Sequence, residues 1–268
     1  MTTSTYTALS LEFDQADHVA TITLRQPETL NAMTRQLTLD LRDALDEVSA
    51  AFPDCRALIL TGEGRGFCSG ADMRAMVAST TNDGPRAPTD WDDRASVVML
   101  ATAIQRVPQP VIGAVNGVAV GGGLGIACAC DILIASEEAR FGAVFVKRHL
   151  VPDTGTSATV PRLVSAGVMA EMSFTGRIYD AAWAERRGIV NEVVPPEQLL
   201  KSAGDLAREI AENPPLALRN IKHLLHEQLD LASIVRHEAE SNGDVSTEDR
   251  SEALRAFAEK RKPVFHGR

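Results

Sequence analysis

Aromatic side chains are scarce. Phe, Tyr and Trp make up 4% of the 268 residues, so any core must rest on Leu, Val, Ile and Ala. The hydrophobic fraction of 44% suffices for one large core or at most two smaller ones. Positive charge is also short. Lys and Arg number 27 against 36 Asp and Glu, and the net charge of −9 argues against a general nucleic-acid or anionic-membrane surface. An anionic ligand must therefore be met by a local basic patch working against the global sign. The 24% charged fraction still excludes global disorder. Cysteine is too rare for a disulfide scaffold. Cys55 and Cys68 are distant in sequence, Cys128 and Cys130 share an apolar run, and all four read as small core residues in a reducing compartment. No apolar run is long enough to span a bilayer, and residues 1–7 hold no basic region followed by an apolar stretch. The expected location is the cytosol. No repeat of fixed period and no low-complexity tract is present.

What is present alternates. Leu9 to Phe13 and His18 to Leu24 have the period of strands, with 14–17 as the turn. Leu37, Leu41, Leu45 and Val48 recur at helical spacing between Asn31 and Ser49. Arg56 to Leu60 reads as a buried strand ending in a loop at 61–66, and Gly70 to Ala78 as the start of a helix. The polar stretch Ser79 to Asp93 carries Gly84, Pro85 and Pro88 and is expected to be a mobile loop. Ala95 to Val107 is helical, Val111 to Val115 a strand, 116–123 a loop, Leu124 to Cys130 a short helix and Ile132 to Ala135 a strand. After Pro161 the periodicity is almost wholly helical. The pattern predicts an α/β core followed by a helical C-terminal region.

Two glycine-rich segments follow strands and precede helices: Gly66-Phe67-Cys68-Ser69-Gly70-Ala71-Asp72-Met73, and Ala114-Val115-Asn116-Gly117 continuing to Gly121-Gly122-Gly123. N–H groups at a helix start have no intrahelical partner, and glycine lets a ligand approach the backbone. Two such starts facing each other could hold one oxyanion. Packing turns and nucleotide loops are the competing readings. The nucleotide readings fail on detail. Ile126 stands where a third dinucleotide glycine is needed, and no Gly-Lys-Ser/Thr occurs. Neither Ser69 nor Ser157 lies in a complete Gly-x-Ser-x-Gly elbow.

Taken in order, these segments resemble the crotonase (enoyl-CoA hydratase/isomerase) superfamily. The resemblance runs from Leu24-Arg25-Gln26-Pro27-Glu28-Thr29-Leu30-Asn31-Ala32-Met33 through Phe67 to Asp72. It continues through Pro110 to Gly123 and Cys130-Asp131-Ile132 to Phe257-Ala258-Glu259-Lys260-Arg261-Lys262. It implies a spiral of ββα turns over 1–195 that holds an acyl-CoA site. A helical C-terminal region of the same domain, 196–268, would be used in trimerisation. The implied partner is an acyl-CoA thioester, with a homotrimer or dimer of trimers and no cofactor beyond the CoA of the substrate. The implied oxyanion donors are the N–H groups of Ala71 and Gly122.

The carboxylates then decide the chemistry. By the resemblance, hydratases carry two glutamates at positions that are Gly125 and Phe145 here, and neither residue can move a proton. His149-Leu150-Val151-Pro152-Asp153-Thr154-Gly155 resembles the Pro-Asp-x-Gly segment of double-bond isomerases, in which one aspartate carries the proton. Asp153 is thus read as the acid/base, against a helix N-cap. Asp72 reads as a cap and Asp131 as structural, and Lys147 and His149 as surface or polar site residues. His223 and His226 share a helix face without a visible third metal ligand. Substrate contacts are expected from Arg25, Leu30, Ala32, Ser69, Gly70, Asp72, Met73 and Phe145, with Phe257 and Lys260 reaching a neighbouring subunit's CoA. Glu28 departs from the lysine that several relatives carry. Met73, Met76 and Trp91 are acyl-pocket candidates. The preferred function is enoyl-CoA isomerisation. The rivals are another enolate reaction on an acyl-CoA, a hydratase with unusual acids, and a non-catalytic acyl-CoA-binding protein.

Overall fold

A computed structural model describes residues 2–72, 74, 93–227 and 231–268. Two sheets organise it. The larger runs β1 (Thr2–Thr5), β2 (Leu9–Asp14), β3 (Val19–Leu24), β4 (Ala57–Gly62), β6 (Val111–Val115), β8 (Ile132–Ser136), β11 (Glu192–Val194). The smaller runs β10 (Tyr179–Asp180), β9 (Arg140–Gly142), β7 (Val118–Val120), β5 (Gly66–Cys68). Pairing is antiparallel from β1 to β3 and parallel from β3 to β11.

The links 63–65, 116–117 and 137–139 are too short for anything but a corner. Each pair β4–β5, β6–β7 and β8–β9 therefore sends one strand to each sheet. A helix at Gly122–Ala127 follows β7, and a 3-10 turn at Val144–Arg148 follows β9. This is the expected spiral of ββα turns. Because parallel strands need long crossovers, both faces of the large sheet are covered. Leu58, Leu60, Val111 and Leu133 face the main core. Ile59, Ile112, Ala114 and Ile134 face the helix Leu199–Ala211, which meets them with Leu199, Ala203, Ala207 and Ala211 at spacing four.

Several boundaries differ from the sequence reading. The first helix begins at Arg35, not Asn31. Leu30 and Asn31 are left-handed (φ 54° and 55°), and Thr34 caps the helix by accepting the Leu37 N–H at 3.1 Å. The 116–123 loop contains β7, the helix after it spans Gly122–Ala127 rather than 124–130, and β1 was not anticipated. The segment after Pro161 is not wholly helical. β10 and β11 interrupt it, and strands of two or three residues are too short to show a period. The polar stretch 79–93 lies outside the described residues except for Asp93, as do 75–78 of the helix expected from Gly70.

The helices Pro215–His226, Leu231–Asp244 and Glu248–Glu259 fill the C-terminal region. The first is fastened to the spiral by a buried charge cluster. Lys222, 4% exposed, donates to the carbonyls of Gln109 (2.9 Å) and Ile104 (3.3 Å) and pairs with Asp131 Oδ2 at 3.0 Å. Asp131 also accepts from Val111 N–H (2.7 Å) and faces His226 Nε2 at 2.6 Å. Burial alone would raise the Asp131 carboxyl, but the His226 hydrogen bond and the Lys222 charge outweigh it and hold it below its ordinary value. The structural role expected of Asp131 is what the geometry gives. We expect Lys222→Met to lower stability by roughly 3 kcal/mol, at the low end for a broken buried pair because His226 still holds Asp131. Urea denaturation checks this, and a change within 0.5 kcal/mol (roughly the spread of ordinary surface substitutions) would count against the cluster as the fastener.

Candidate active site

β5, β7 and β9 run parallel, so all three end at one edge of the small sheet, and antiparallel β10 begins there. Both glycine loops leave from this edge. They touch backbone to backbone. A side chain at Gly70 (φ +87°) would meet Val120 O at 2.9 Å and Gly122 N at 3.1 Å, and one at Gly123 would strike the Cys68 carbonyl. Glycine is required at both places by space, and at Gly70 by φ as well. The Met33 N–H donates to Gly70 O at 2.8 Å, and Met33 bridges Ala71, which fixes the end of the first loop. Among the described residues, no acceptor is met by the N–H of Ala71 or of Gly122. Two neighbouring loops thus carry unspent donors.

A cavity of about 550 Å³ opens at this edge. It brings together Ser69, Gly70, Ala71, Asp72, Gly122, Phe145 and Asp153. Its other walls include Val97, Val98, Leu150 and Ile178, so it is apolar with a few convergent polar groups, as small-molecule sites are. A larger hollow of about 670 Å³ lies beside His18, Glu47 and Asp54, but neither glycine loop borders it.

Asp153 sits in a tight turn. Thr154, a β-branched residue, is left-handed at φ 49°, followed by Gly155 at φ 72°. Such strain persists only where the surroundings over-determine it. The short helix Thr156–Thr159 has Gly155 at its cap position and no side-chain cap, and the Thr156 N–H bonds to the backbone carbonyl of Asp153. The Asp153 carboxylate is therefore not that helix's cap. It accepts from Thr154 Oγ1 at 2.9 Å and lines the cavity. Asp72 accepts the Arg74 N–H at 3.0 Å, and the Arg74 guanidinium holds its carboxyl below the usual range; residues 75–78 of the helix it was expected to cap lie outside the described residues.

The two positions compared with glutamates are explained by packing. A side chain at Gly125 would run into the Thr154 carbonyl and meet Thr156 Oγ1 at 2.8 Å. The turn that presents Asp153 occupies that space. Phe145, 6% exposed, fills the other position with a ring. Cys68, next to Ser69, is buried, and burial pushes its thiol up to about 12, so it is no nucleophile at neutral pH.

Other sequence candidates lie away from the cavity. Arg25 is half exposed and pairs with Glu63 at 2.8 Å. Leu30 packs beside β5, where Ser69 N–H donates to Leu30 O at 2.9 Å, and Ala32 is buried. Phe257 is 85% exposed, and Lys260 ends its helix in a left-handed conformation (φ 53°). Met73, Met76 and Trp91 lie outside the described residues. His226 is engaged with Asp131, and His223 with Glu227 at 3.1 Å. Sequence reasoning missed Arg35, Arg148 and Ile178 as cavity residues. Lys147, weighed only in passing, also lines it. The adjacent cations at 147–148, just upstream of Asp153, were the available signal.

Comparison with known proteins agrees with this architecture. The sequence model of the family described as enoyl-CoA hydratase/isomerase matches residues 14–268. The chain is 35% identical over 248 residues to the short-chain-enoyl-CoA hydratase of Clostridium acetobutylicum, covering 91% of this chain and 92% of that protein. It is 34% identical over 271 residues to the (E)-benzylidenesuccinyl-CoA hydratase of Thauera aromatica, covering 97% and 100%. The crystal structure of an enoyl-CoA hydratase from Bacillus anthracis superposes with a TM-score of 0.86 at 33% identity, covering 97% and 100%. With the spiral, the paired glycine loops and these matches in hand, the chain belongs to the enoyl-CoA hydratase/isomerase family.

Proposed function

We propose that this enzyme isomerises the double bond of an enoyl-CoA thioester, with Asp153 as the one acid/base. The observation that carries the reading is the shared cavity. Asp153 lines it with the two donor residues Ala71 and Gly122, while the glutamate positions of hydratases hold Gly125 and Phe145. The thioester carbonyl oxygen sits between the Ala71 and Gly122 N–H groups. Asp153 takes a proton from the α-carbon of a 3-enoyl-CoA. The electrons move into the carbonyl, and the resulting dienolate oxygen is held by the two donors. Asp153 then returns the same proton to the γ-carbon, giving the 2-enoyl-CoA. No water is consumed, so no second carboxylate is needed. The other route, hydration, requires a water-activating group, and the relatives named hydratases make it the reading to test against.

Asp153→Asn keeps the shape of the turn. We expect 3-enoyl-CoA turnover to fall about 100- to 10,000-fold. Acyl-CoA affinity and melting temperature should stay near those of the parent, because the oxyanion donors are backbone groups. Unchanged turnover removes Asp153 as the base. No turnover in the parent, with tight binding, makes the protein a binder. Fast hydration by the parent makes it a hydratase.

Gly125→Glu tests the packing argument from the other side. The new side chain cannot enter without displacing Thr154, so we expect a loss of about 1–3 kcal/mol and no gain of hydratase rate. A stable variant that hydrates 2-enoyl-CoA quickly would show that the turn yields easily.

The active assembly we propose is a trimer or a pair of trimers. Its support is the apolar surface left on the C-terminal helices, with Leu225 65%, Leu254 66% and Phe257 85% exposed. Analytical ultracentrifugation at micromolar concentration should give one of these masses, and a monomer contradicts it.

A further inference from the structure

The cavity has two unlike flanks. The small sheet fixes their order across it as β5, β7, β9, β10. The oxyanion donors sit at the exits of β5 and β7. The 25–31 segment, which the resemblance associates with CoA, is bound on the β5 side, where Ser69 Oγ donates to Thr29 O at 2.9 Å. A thioester lying between the donors, with its CoA over β5, sends its acyl chain toward β9 and β10. The wall on that side holds Val144, Phe145 and Ile178 together with two cations, Lys147 and Arg148.

These cations are placed rather than incidental. They belong to the 3-10 turn Val144–Arg148 that follows β9. The Lys147 stem lies across Gly176, just ahead of β10. A side chain there would meet Lys147 Cγ at 2.9 Å and Cε at 3.2 Å. Among the described residues, no carboxylate pairs with Lys147 or Arg148. Arg148 Nη1 donates only to the Lys147 carbonyl, at 3.2 Å. Arg94, by contrast, pairs with Asp43 and Asp46 at 2.7 Å each. In a chain of net charge −9, two adjacent cations without a carboxylate partner among the described residues, on the wall of a cavity that also holds Arg35, Asp72 and Asp153, are the local basic patch that an anion needs. Neighbouring strands are spaced about 4.8 Å apart, so the exits of β9 and β10 lie roughly 10 Å from the point between β5 and β7. That is the reach of a short acyl chain with a hydrogen bond at its end.

We propose that Lys147 and Arg148 form a subsite for a carboxylate at the far end of the acyl chain, so that the substrate is the monothioester of a short unsaturated dicarboxylic acid. This rests on the acyl-CoA reading of the site but not on the isomerase chemistry. Unreactive ligands therefore test it. Isothermal titration compares adipyl-CoA with hexanoyl-CoA, which match in length and differ in the terminal carboxylate. The native protein should bind adipyl-CoA about 10- to 100-fold more tightly, the scale of one charge-assisted hydrogen bond pair. The preference should shrink as salt rises. In Lys147→Gln/Arg148→Gln the ratio should fall to near one. Equal affinity of the two ligands for the native protein overturns the proposal, and this comparison needs no variant to fold. A preference that survives the double substitution overturns it too. If the double variant weakens both ligands equally, the cations meet the CoA phosphates instead, and the subsite is refuted. Failure of both ligands to bind refutes the acyl-CoA reading itself, whereas binding with the expected preference but no turnover of 3-hexenedioyl-CoA refutes only the isomerase.

Discussion

The structure depends on one close approach, that of the backbone leaving β5 to the backbone leaving β7. The Cys68 carbonyl lies where a Gly123 side chain would be, and the Gly122 N–H lies against Gly70. Only residues without Cβ permit this contact. The two strands are direct neighbours in the small sheet, so their loops meet at a fixed edge. Two N–H groups on two different loops are then held near each other by backbone alone. A donor pair of this kind is pre-organised, because no side chain must be ordered for it to act.

The place of Asp153 on the cavity wall follows from a second exclusion. The turn 153–156 packs against Gly125, and its Thr154 carbonyl and Thr156 hydroxyl take the volume a side chain there would need. The turn that carries Asp153 and a side chain at 125 thus exclude each other. The left-handed Thr154 and Gly155 aim the turn, and the donor N–H of Thr156 is satisfied by the Asp153 backbone rather than its side chain. The carboxylate remains on the cavity wall. Phe145 adds an apolar ring to the same wall. The carboxylates on this wall include Asp72, engaged by Arg74, and Asp153, which accepts from Thr154 Oγ1.

Charge elsewhere is used for anchoring. Lys222, Asp131 and His226 join the C-terminal helices to the starts of β6 and β8 through a buried cluster with few spare bonds. The exposed pairs, such as Arg25 with Glu63, contribute far less to stability because water screens them. Lys147 and Arg148 belong to neither class, which is why they stand out at the cavity.

The sequence by itself determined the alternation of strands and helices, since buried parallel strands such as Ala57–Gly62 are continuous apolar runs bounded by glycine. It also marked the two glycine loops, the small side chain at Ala71 and the absence of acid at Gly125 and Phe145. The loops are local facts of composition and spacing, whereas the meaning of Ala71, Gly125 and Phe145 came from the resemblance to the family. It did not reveal β10 or β11, whose few residues pair only because distant strands supply the partner. Nor did apolar spacing place the first helix boundary, which is set by left-handed Leu30 and Asn31 and the Thr34 cap ahead of Arg35. The tertiary structure alone decided whether Asp153 was a cap or a cavity residue, because both roles fit the same Asp-Thr-Gly spacing. It alone gathered Lys147, Arg148 and Ile178 at one edge of the small sheet. Proximity between residues on separate strands is a product of strand order, and strand order is not written in the spacing of any one segment.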